Sequence, residues 1–343
     1  MRLGLDDDQI ALRDGVRRLL QSECTPATVR AAWSDPATVG RALWGKLSEM
    51  GLAGAAVSAE AGGLGLGACD VVPLLEESGR VAAPLPLVET AFVAGPLLAA
   101  APDCGEMLER LLAGELLVAC ALDGSTIAPY AQMADALLVS EDAGAGCGIR
   151  MINGRGATRP ALSIDSSRAA GRLEAPVSAD ALRLPPAQIA AAWNRGVVGC
   201  SAQLIGLTRT LLEQTTAYVK DRRQFGVPIG SFQAVKHHLA DGLIALEFAS
   251  PAVLRAAWSI DHRASSTERD VAMAKVLASE AALRVAGIAL QCHGAIAYTT
   301  EYDLHLFAKR VWASARTWGG VEWQRARVAS ALGLQFDTGG GSA

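Results

Sequence analysis

The chain has 343 residues, 51% of them apolar, and a formal net charge of −4. That is enough for two or three packed layers or domains, too apolar for disorder to be the default, and it offers no basic footprint for nucleic acid. The start turns acidic by Asp6 without an apolar leader, no run of about 20 apolar residues escapes glycine or charge, and the 7 cysteines are scattered without a CxxC pair, so a cytoplasmic chain is expected, with reduced thiols, no membrane span and no metal site.

In chain order, Leu5 to Gln21 carries apolar residues at helical spacing behind the acidic start Asp6-Asp7-Asp8. A second helix is predicted from Val39 to Met50, stopped by Gly51. The run Gly62-Gly-Leu-Gly-Leu-Gly67 loosely imitates a dinucleotide fingerprint. No βαβ unit surrounds it, so it reads as a turn before a helix. Ala68 to Ser78, Leu87 to Ala101 and Met107 to Leu112 read as further helices. From about Glu115 to Leu184 the character changes: Leu116 to Leu122 and Ala136 to Ser140 are short apolar runs, and Gly144, Gly146, Gly148 and Gly154 punctuate the stretch after them. Pro185-Pro186 then opens a helix over Ala187 to Lys220, roughly 50 Å long at 1.5 Å per residue. Ser231 to His262 is the next helix. Thr267-Glu-Arg-Asp270 resembles a capping box at the start of another, which ends near Gly294. Shorter helices are expected at Tyr302 to Lys309 and Gly320 to Leu332, with a loose tail from Asp337 to Ala343. The expected fold is mostly α with a small β domain: a helical domain over 1–114, a reduced β domain over 115–184, a helical bundle over 185–335 and a tail over 336–343.

Between the two longest helices lies Asp221-Arg-Arg-Gln-Phe-Gly-Val-Pro-Ile-Gly-Ser-Phe-Gln233. A guanidinium forks two N–H groups onto phosphate oxygens, and an aromatic ring beside it offers a flat platform. Held by Gly226 and Pro228, the pair suits a diphosphate attached to a flat ring; the plainer alternative is a helix end with stray arginines and a core phenylalanine. Gln291-Cys-His-Gly-Ala-Ile-Ala297 ends a long helix. Gly294 would admit a close approach to the backbone and Gln291 a polar edge, although a helix C-cap gives the same pattern. His293 is a candidate base, or simply a hydrogen-bonded histidine.

Together these segments resemble the acyl-CoA dehydrogenase family over most of the chain. The resemblance is carried by Gly51 to Gly67, by Arg222 to Asp241 and by Gln291 to Tyr302. It implies an N-terminal helical domain, a central β domain and a C-terminal four-helix bundle. It further implies FAD, oxidation of a CoA thioester to the α,β-enoyl product, and electron-transferring flavoprotein as acceptor. In that family the first signature reaches across a dimer interface to the neighbour's FAD and the second contacts its adenine half. Carried over, Arg222 meets the pyrophosphate with Phe225 and Gln224 beside it, and Gln233, Gln291 and Gly294 line the far end.

The family's base is a glutamate before a Gly-Thr pair. In Thr317-Trp-Gly-Gly-Val-Glu322 that position falls on Trp318. A second family location lies at the start of the first bundle helix, here Asn194 to Gly196, and no Asp or Glu occurs between Asp180 and Glu213. The β region also lacks the usual flavin-binding loop; Leu122-Asp-Gly-Ser-Thr126 is at best a remnant. Three arrangements are open: a complementary subunit of an α2β2 enzyme whose partner carries FAD and base, acting on a steroid or fatty acyl-CoA; a self-sufficient homo-oligomer with a base relocated to Glu301, Asp303 or Glu322; or a helical scaffold without chemistry. The first fits best, because cross-subunit motifs are kept while in-subunit motifs are lost.

Overall fold

A computed structural model describes residues 4–122, 124–140, 149–153, 157–174, 180–182 and 184–334. The expected glycine punctuation at 144–148 and 154 and the tail from 337 lie outside the described residues. Helix α1 (Asp7–Glu23) starts as its acidic sequence implies: Asp6 accepts from Gln9 N at 2.9 Å, and its own N–H donates to Gln9 Oε1 at 3.0 Å, closing a capping box. Helix α2 (Pro26–Ser34) was not predicted, and α3 (Pro36–Glu49) begins three residues before the expected Val39. Both starts share one device. Thr25 and Asp35 cap through Thr28 N and Thr38 N, and each is followed by a proline in the first turn, where no amide is needed.

The glycine run at 62–67 is the turn before a helix that its sequence suggests. Helix α4 (Ala68–Arg80) is capped from a distance, by Asp261 at the far end of the bundle. Its carboxylate accepts from Ala68 N at 2.6 Å and Cys69 N at 2.9 Å, and a Cβ on Gly67 would stand 2.8 Å from Asp261 Oδ2. An anion at a helix N-terminus meets both free N–H groups and the positive dipole end. Asp261→Ala is therefore expected to cost about 1–2 kcal/mol, to be read from urea unfolding.

The predicted helix over Leu87 to Ala101 is interrupted. Val88–Ala94 has π geometry and only Gly95–Ala100, α5, is α-helical; α6 (Gly105–Leu112) follows. The β region forms two small sheets. In the first, β1 (Val118–Ala121) runs parallel to β3 (Ala136–Ser140), and β4 (Ile149–Asn153) and β7 (Asp180–Leu182) continue it antiparallel. In the second, β6 (Gly171–Leu173) lies between β2 (Ile127–Ala128) and β5 (Thr158–Pro160).

Helix α7 (Pro186–Asp221) has 36 residues, about 54 Å, and packs on the inner faces of α8 (Gln233–Asp261) and α9 (Thr267–His293). It also carries α4, and the approach is close: a Cβ on Gly206 would stand 2.0 Å from Glu76 O. Helices α10 (Leu304–Ser314) and α11 (Val321–Ala331) complete the bundle side. The capping box read at Thr267 does not form. Thr267 is already helical and its hydroxyl donates to Ala264 O at 2.6 Å, while Asp270 is taken by Arg255, Ser259 and Ser266 at 3.0, 2.7 and 2.8 Å. The expectation of no membrane-length apolar run also passes over α8, the one described helix long and apolar enough to cross a membrane by length and composition. Its inner side is a bundle face, with Gly242, Leu246, Ala249 and Val253 buried, whereas Leu243, Ile244 and Phe248 on the outer side are exposed.

Candidate functional site

The break between α7 and α8 is a β-hairpin. Arg223 pairs with Pro228 and Gln224 with Val227, in strands β8 (Arg223–Gln224) and β9 (Val227–Pro228), leaving Phe225-Gly226 as a two-residue loop. Both loop residues have positive φ, 53° and 80°, as a type I′ hairpin turn demands. Gly226 adopts this freely. Phe225 does so under strain, and the residue is 92% exposed. The base is fixed: Ile229 N donates to Arg222 O at 2.8 Å, and the Phe232 ring meets Phe225 edge-on at 6.2 Å between centroids. A strained backbone that presents an apolar ring to water contributes nothing to this chain's own core. Arg222, Gln224 and Gln233 are exposed on the same projection.

The second signature arrives at the same end of the bundle. Tyr218 on the last turns of α7 stacks on His293 at the end of α9, with ring centroids 4.2 Å apart, and Tyr302 meets Tyr218 edge-on at 6.0 Å. The stack brings the hairpin base and the α9 terminus together. Gln291 and Gly294 are exposed there. Gly294 has φ 66° and ψ −141°, and a Cβ would meet nothing within 4 Å, so backbone conformation rather than crowding requires glycine. His293 is buried; its Nδ1 lies 2.8 Å from Ala289 O, and burial holds its pKa below the usual histidine value. It reads as a helix-bound ring in the stack rather than an exposed base.

Family models for the acyl-CoA dehydrogenase N-terminal domain match residues 6–115, and those for the C-terminal domain match 187–333. The chain belongs to the acyl-CoA dehydrogenase family. Among its relatives is acyl-CoA dehydrogenase IpdE2 of Mycobacterium tuberculosis, 32% identical over 311 residues, which are 90% of this chain and 92% of that one. Among solved structures, a steroid acyl-CoA dehydrogenase, the Tcur3481-Tcur3483 G363A variant, superposes with a TM-score of 0.85 at 26% identity, covering 97% of this chain and 99% of that chain. The ChsE4-ChsE5 complex of Mycobacterium tuberculosis shares the fold at a TM-score of 0.87 and 24% identity, covering 98% and 100%.

Trp318 and the Asn194 to Gly196 stretch, the two places where the resemblance leads one to expect the glutamate, meet in space. A Cβ on Gly196 would stand 2.4 Å from the Trp318 ring, so the indole fills the room between them. Trp318 is buried, has φ 60°, lies edge-on to Trp193 at 5.5 Å, and its carbonyl accepts from Gln324 Nε2 at 2.7 Å. Asn194 is also buried. Of the relocated-base candidates, Asp303 is held by Arg30 at 2.6 Å, Glu301 is exposed, and Glu322 is exposed on the first turn of α11.

One carboxyl escaped the sequence reading. Glu89, in the π-helical turn, is 5% exposed. Burial raises its pKa, against the pull of Arg168 and of the Trp318 N–H that hydrogen-bonds to it. A lone carboxylate inside the apolar run Leu85 to Leu98 was the available signal. A folded-state pKa above the unfolded value means that Glu89 favours folding below the unfolded value and forfeits this as pH rises through the folded one. Glu89→Gln keeps an acceptor for the indole. It is expected to leave stability at pH 4 little changed and to raise it at pH 8, compared by urea midpoints at the two pH values.

Trp318 also floors a cleft between the β region and the α10–α11 turn. Its deep part, about 590 Å³, is lined by Cys120, Leu122, Ile127, Leu162, Ile164 and Trp318 among others.

Proposed function

We propose that this chain is the complementary subunit of a heteromeric, FAD-dependent acyl-CoA dehydrogenase that forms the α,β double bond of a CoA thioester. The observation that carries the proposal is the contrast between its two halves: a strained, exposed Phe225 hairpin that adds nothing to its own core, and a buried indole, Trp318, at the place the resemblance assigns to the carboxylate. FAD bound on a partner supplies the hydride acceptor. The residues present fit it: the exposed Arg222 guanidinium suits its diphosphate, Phe225 and Gln224 flank it, and Gln233, Gln291 and Gly294 offer polar edges and open backbone to its adenine end. The partner supplies the base: α-proton removal needs a carboxylate in a dry site with its pKa raised, and Glu89, which has both properties, lines neither part of the cleft beside Trp318. The uncovered Leu243, Ile244 and Phe248 stripe on α8 provides an apolar face for that partner.

Heteromeric steroid enzymes among the structural neighbours favour an α2β2 assembly and a bulky, steroid-type acyl group over a straight fatty chain. Electron-transferring flavoprotein is the acceptor and the cytoplasm the site in this reading. The test is the visible absorption spectrum of the chain purified alone and after co-expression with a neighbouring dehydrogenase-like reading frame. Flavin is expected only in the second sample. A yellow lone chain bleached by an acyl-CoA would overturn the proposal and favour a self-sufficient enzyme.

A further inference from the structure

We propose that Cys200 and Lys275 are an oxidant-operated pair that closes into a sulfenamide, an S–N bond joining α7 to α9. Cys200 Sγ donates to Ser314 O at 3.3 Å and Lys275 Nζ donates to the same oxygen at 3.0 Å, and the two side chains also interact directly. Both residues are buried, Lys275 completely. The amine is held further by Ala315 O and Ser279 Oγ, each at 3.2 Å. Among the described residues no other cysteine meets a lysine, and Lys275 meets no carboxylate. One residue separates the pair from open space. Thr317, whose carbonyl stands 3.9 Å from Cys200 Sγ, lines the deep part of the cleft, and Ala315 lines its wider outer part, which reaches Arg316 and Trp323. Hydrogen peroxide is little larger than water and needs no wider route.

The chemistry balances with one equivalent of hydrogen peroxide. Lys275 takes the thiol proton, and the thiolate attacks one peroxide oxygen. The O–O bond breaks, and the ammonium returns its proton to the departing hydroxide. Sulfur is oxidised by two electrons to the sulfenic acid, and one water leaves. The freed amine then attacks the sulfur. The S–O bond breaks, and a proton from nitrogen leaves with the hydroxide as a second water. Burial serves the second step, since it holds the Lys275 pKa below the usual lysine value. It also holds the Cys200 pKa above the usual thiol value, against the pull of Lys275, so the amine beside the sulfur is what makes the thiolate attainable. Closing the bond takes a cation and its donors from Ser314 and Ala315, whose carbonyls end α10. Oxidation is thereby transmitted to the turn that carries Trp318.

The pair does not depend on the flavin reading, and it is tested on the full chain alone. The folded protein is treated with hydrogen peroxide, its remaining thiols are alkylated, and it is digested with trypsin without reductant. The tryptic peptide Gly196–Arg209 holds no cysteine besides Cys200, and Asp270–Arg284 holds none, so a link between them is not a disulfide. The expected product is these two peptides joined, with cleavage after Lys275 lost. Its mass should be two hydrogens below their sum, apart from sulfoxide at the exposed Met273. Dithiothreitol should return the separate peptides and restore cleavage at Lys275. Cys200→Ser and Lys275→Met are each expected to abolish the product, and Lys275→Arg, which keeps a cation for the same carbonyls, serves if the methionine variant does not fold. Sulfinic or sulfonic acid at Cys200 with Lys275 still cleaved would overturn the proposal. So would a disulfide from Cys200 to another cysteine, or an unmodified Cys200 once the partly exposed Cys69 and Cys292 are oxidised.

Discussion

Arg222→Ala and Phe225→Ala together are expected to strip flavin from the co-expressed complex by about 10²-fold or more in affinity, while the chain stays folded. The size reflects the contacts at stake. A charge-assisted pair of hydrogen bonds to a diphosphate contributes roughly 1.5–3 kcal/mol, and an aromatic contact roughly 0.5–1.5 kcal/mol. Folding should not suffer, because both side chains are exposed and Phe225 sits at positive φ, a cost to the free chain. The ratio of absorbance near 450 nm to that at 280 nm after gel filtration reads the flavin, and circular dichroism reads the fold. Phe225→Gly should separate two roles of the tip: it relieves the backbone strain, so it should stabilise the lone chain slightly yet still weaken flavin retention. If the double variant keeps full flavin, the cofactor is held without this hairpin and the complementary-subunit reading fails at its first step.

The hairpin could be located from sequence because its punctuation is local: Gly226, Pro228 and Gly230 within a helical context leave few alternatives. Its strain could not, since a positive φ at a phenylalanine is set by the strand pairing on either side. The long bundle helices came out within a few residues of their ends, because their apolar period runs over many turns. Helix α2 was not predicted; Pro26 and Pro36 act as first-turn residues behind Thr25 and Asp35. The π geometry at Val88–Ala94 changes hydrogen-bond register without changing residue type, so periodicity cannot report it. The meeting of Trp318 with Gly196 was half legible. Each position was marked as lacking a carboxylate, but only the fold shows that one indole fills both. The cleft was not legible at all, because Leu162 and Ile164 come from the β region while Arg316 and Trp323 come from the far end of the chain.

Arg310→Ala is expected to be the most damaging single change to the fold, at about 3–5 kcal/mol. Arg310 and Asp165 are both buried and joined through Nε and Oδ2; Arg310 Nη1 also donates to Ala83 O at 2.8 Å and Nη2 to Ser167 Oγ at 2.8 Å. One side chain thus ties the segment after α4, the 161–168 loop and α10 together. Burial alone would raise the Asp165 pKa, but Arg310 and Ser167 outweigh it and hold the carboxyl below the usual range. In the wild type its contribution is therefore complete above an unfolded value of about 4 and is lost as pH falls through the lower folded value. Removing Arg310 reverses the sign. Asp165 is left buried without its cation, its folded pKa rises, and its ionisation opposes folding as pH climbs. The deficit of Arg310→Ala against wild type should accordingly be larger at pH 7.5 than at pH 4.5 in paired urea titrations, and equal deficits would show that lost packing, not charge, dominates. A second substitution settles what the pair contributes. If the charges serve mainly to neutralise each other, Arg310→Met with Asp165→Leu should recover much of the loss, since an apolar pair of similar volume carries no desolvation cost. It would also release the 161–168 loop from its polar anchor, so any remaining deficit measures how far this one network holds Leu162 and Ile164 over the cleft.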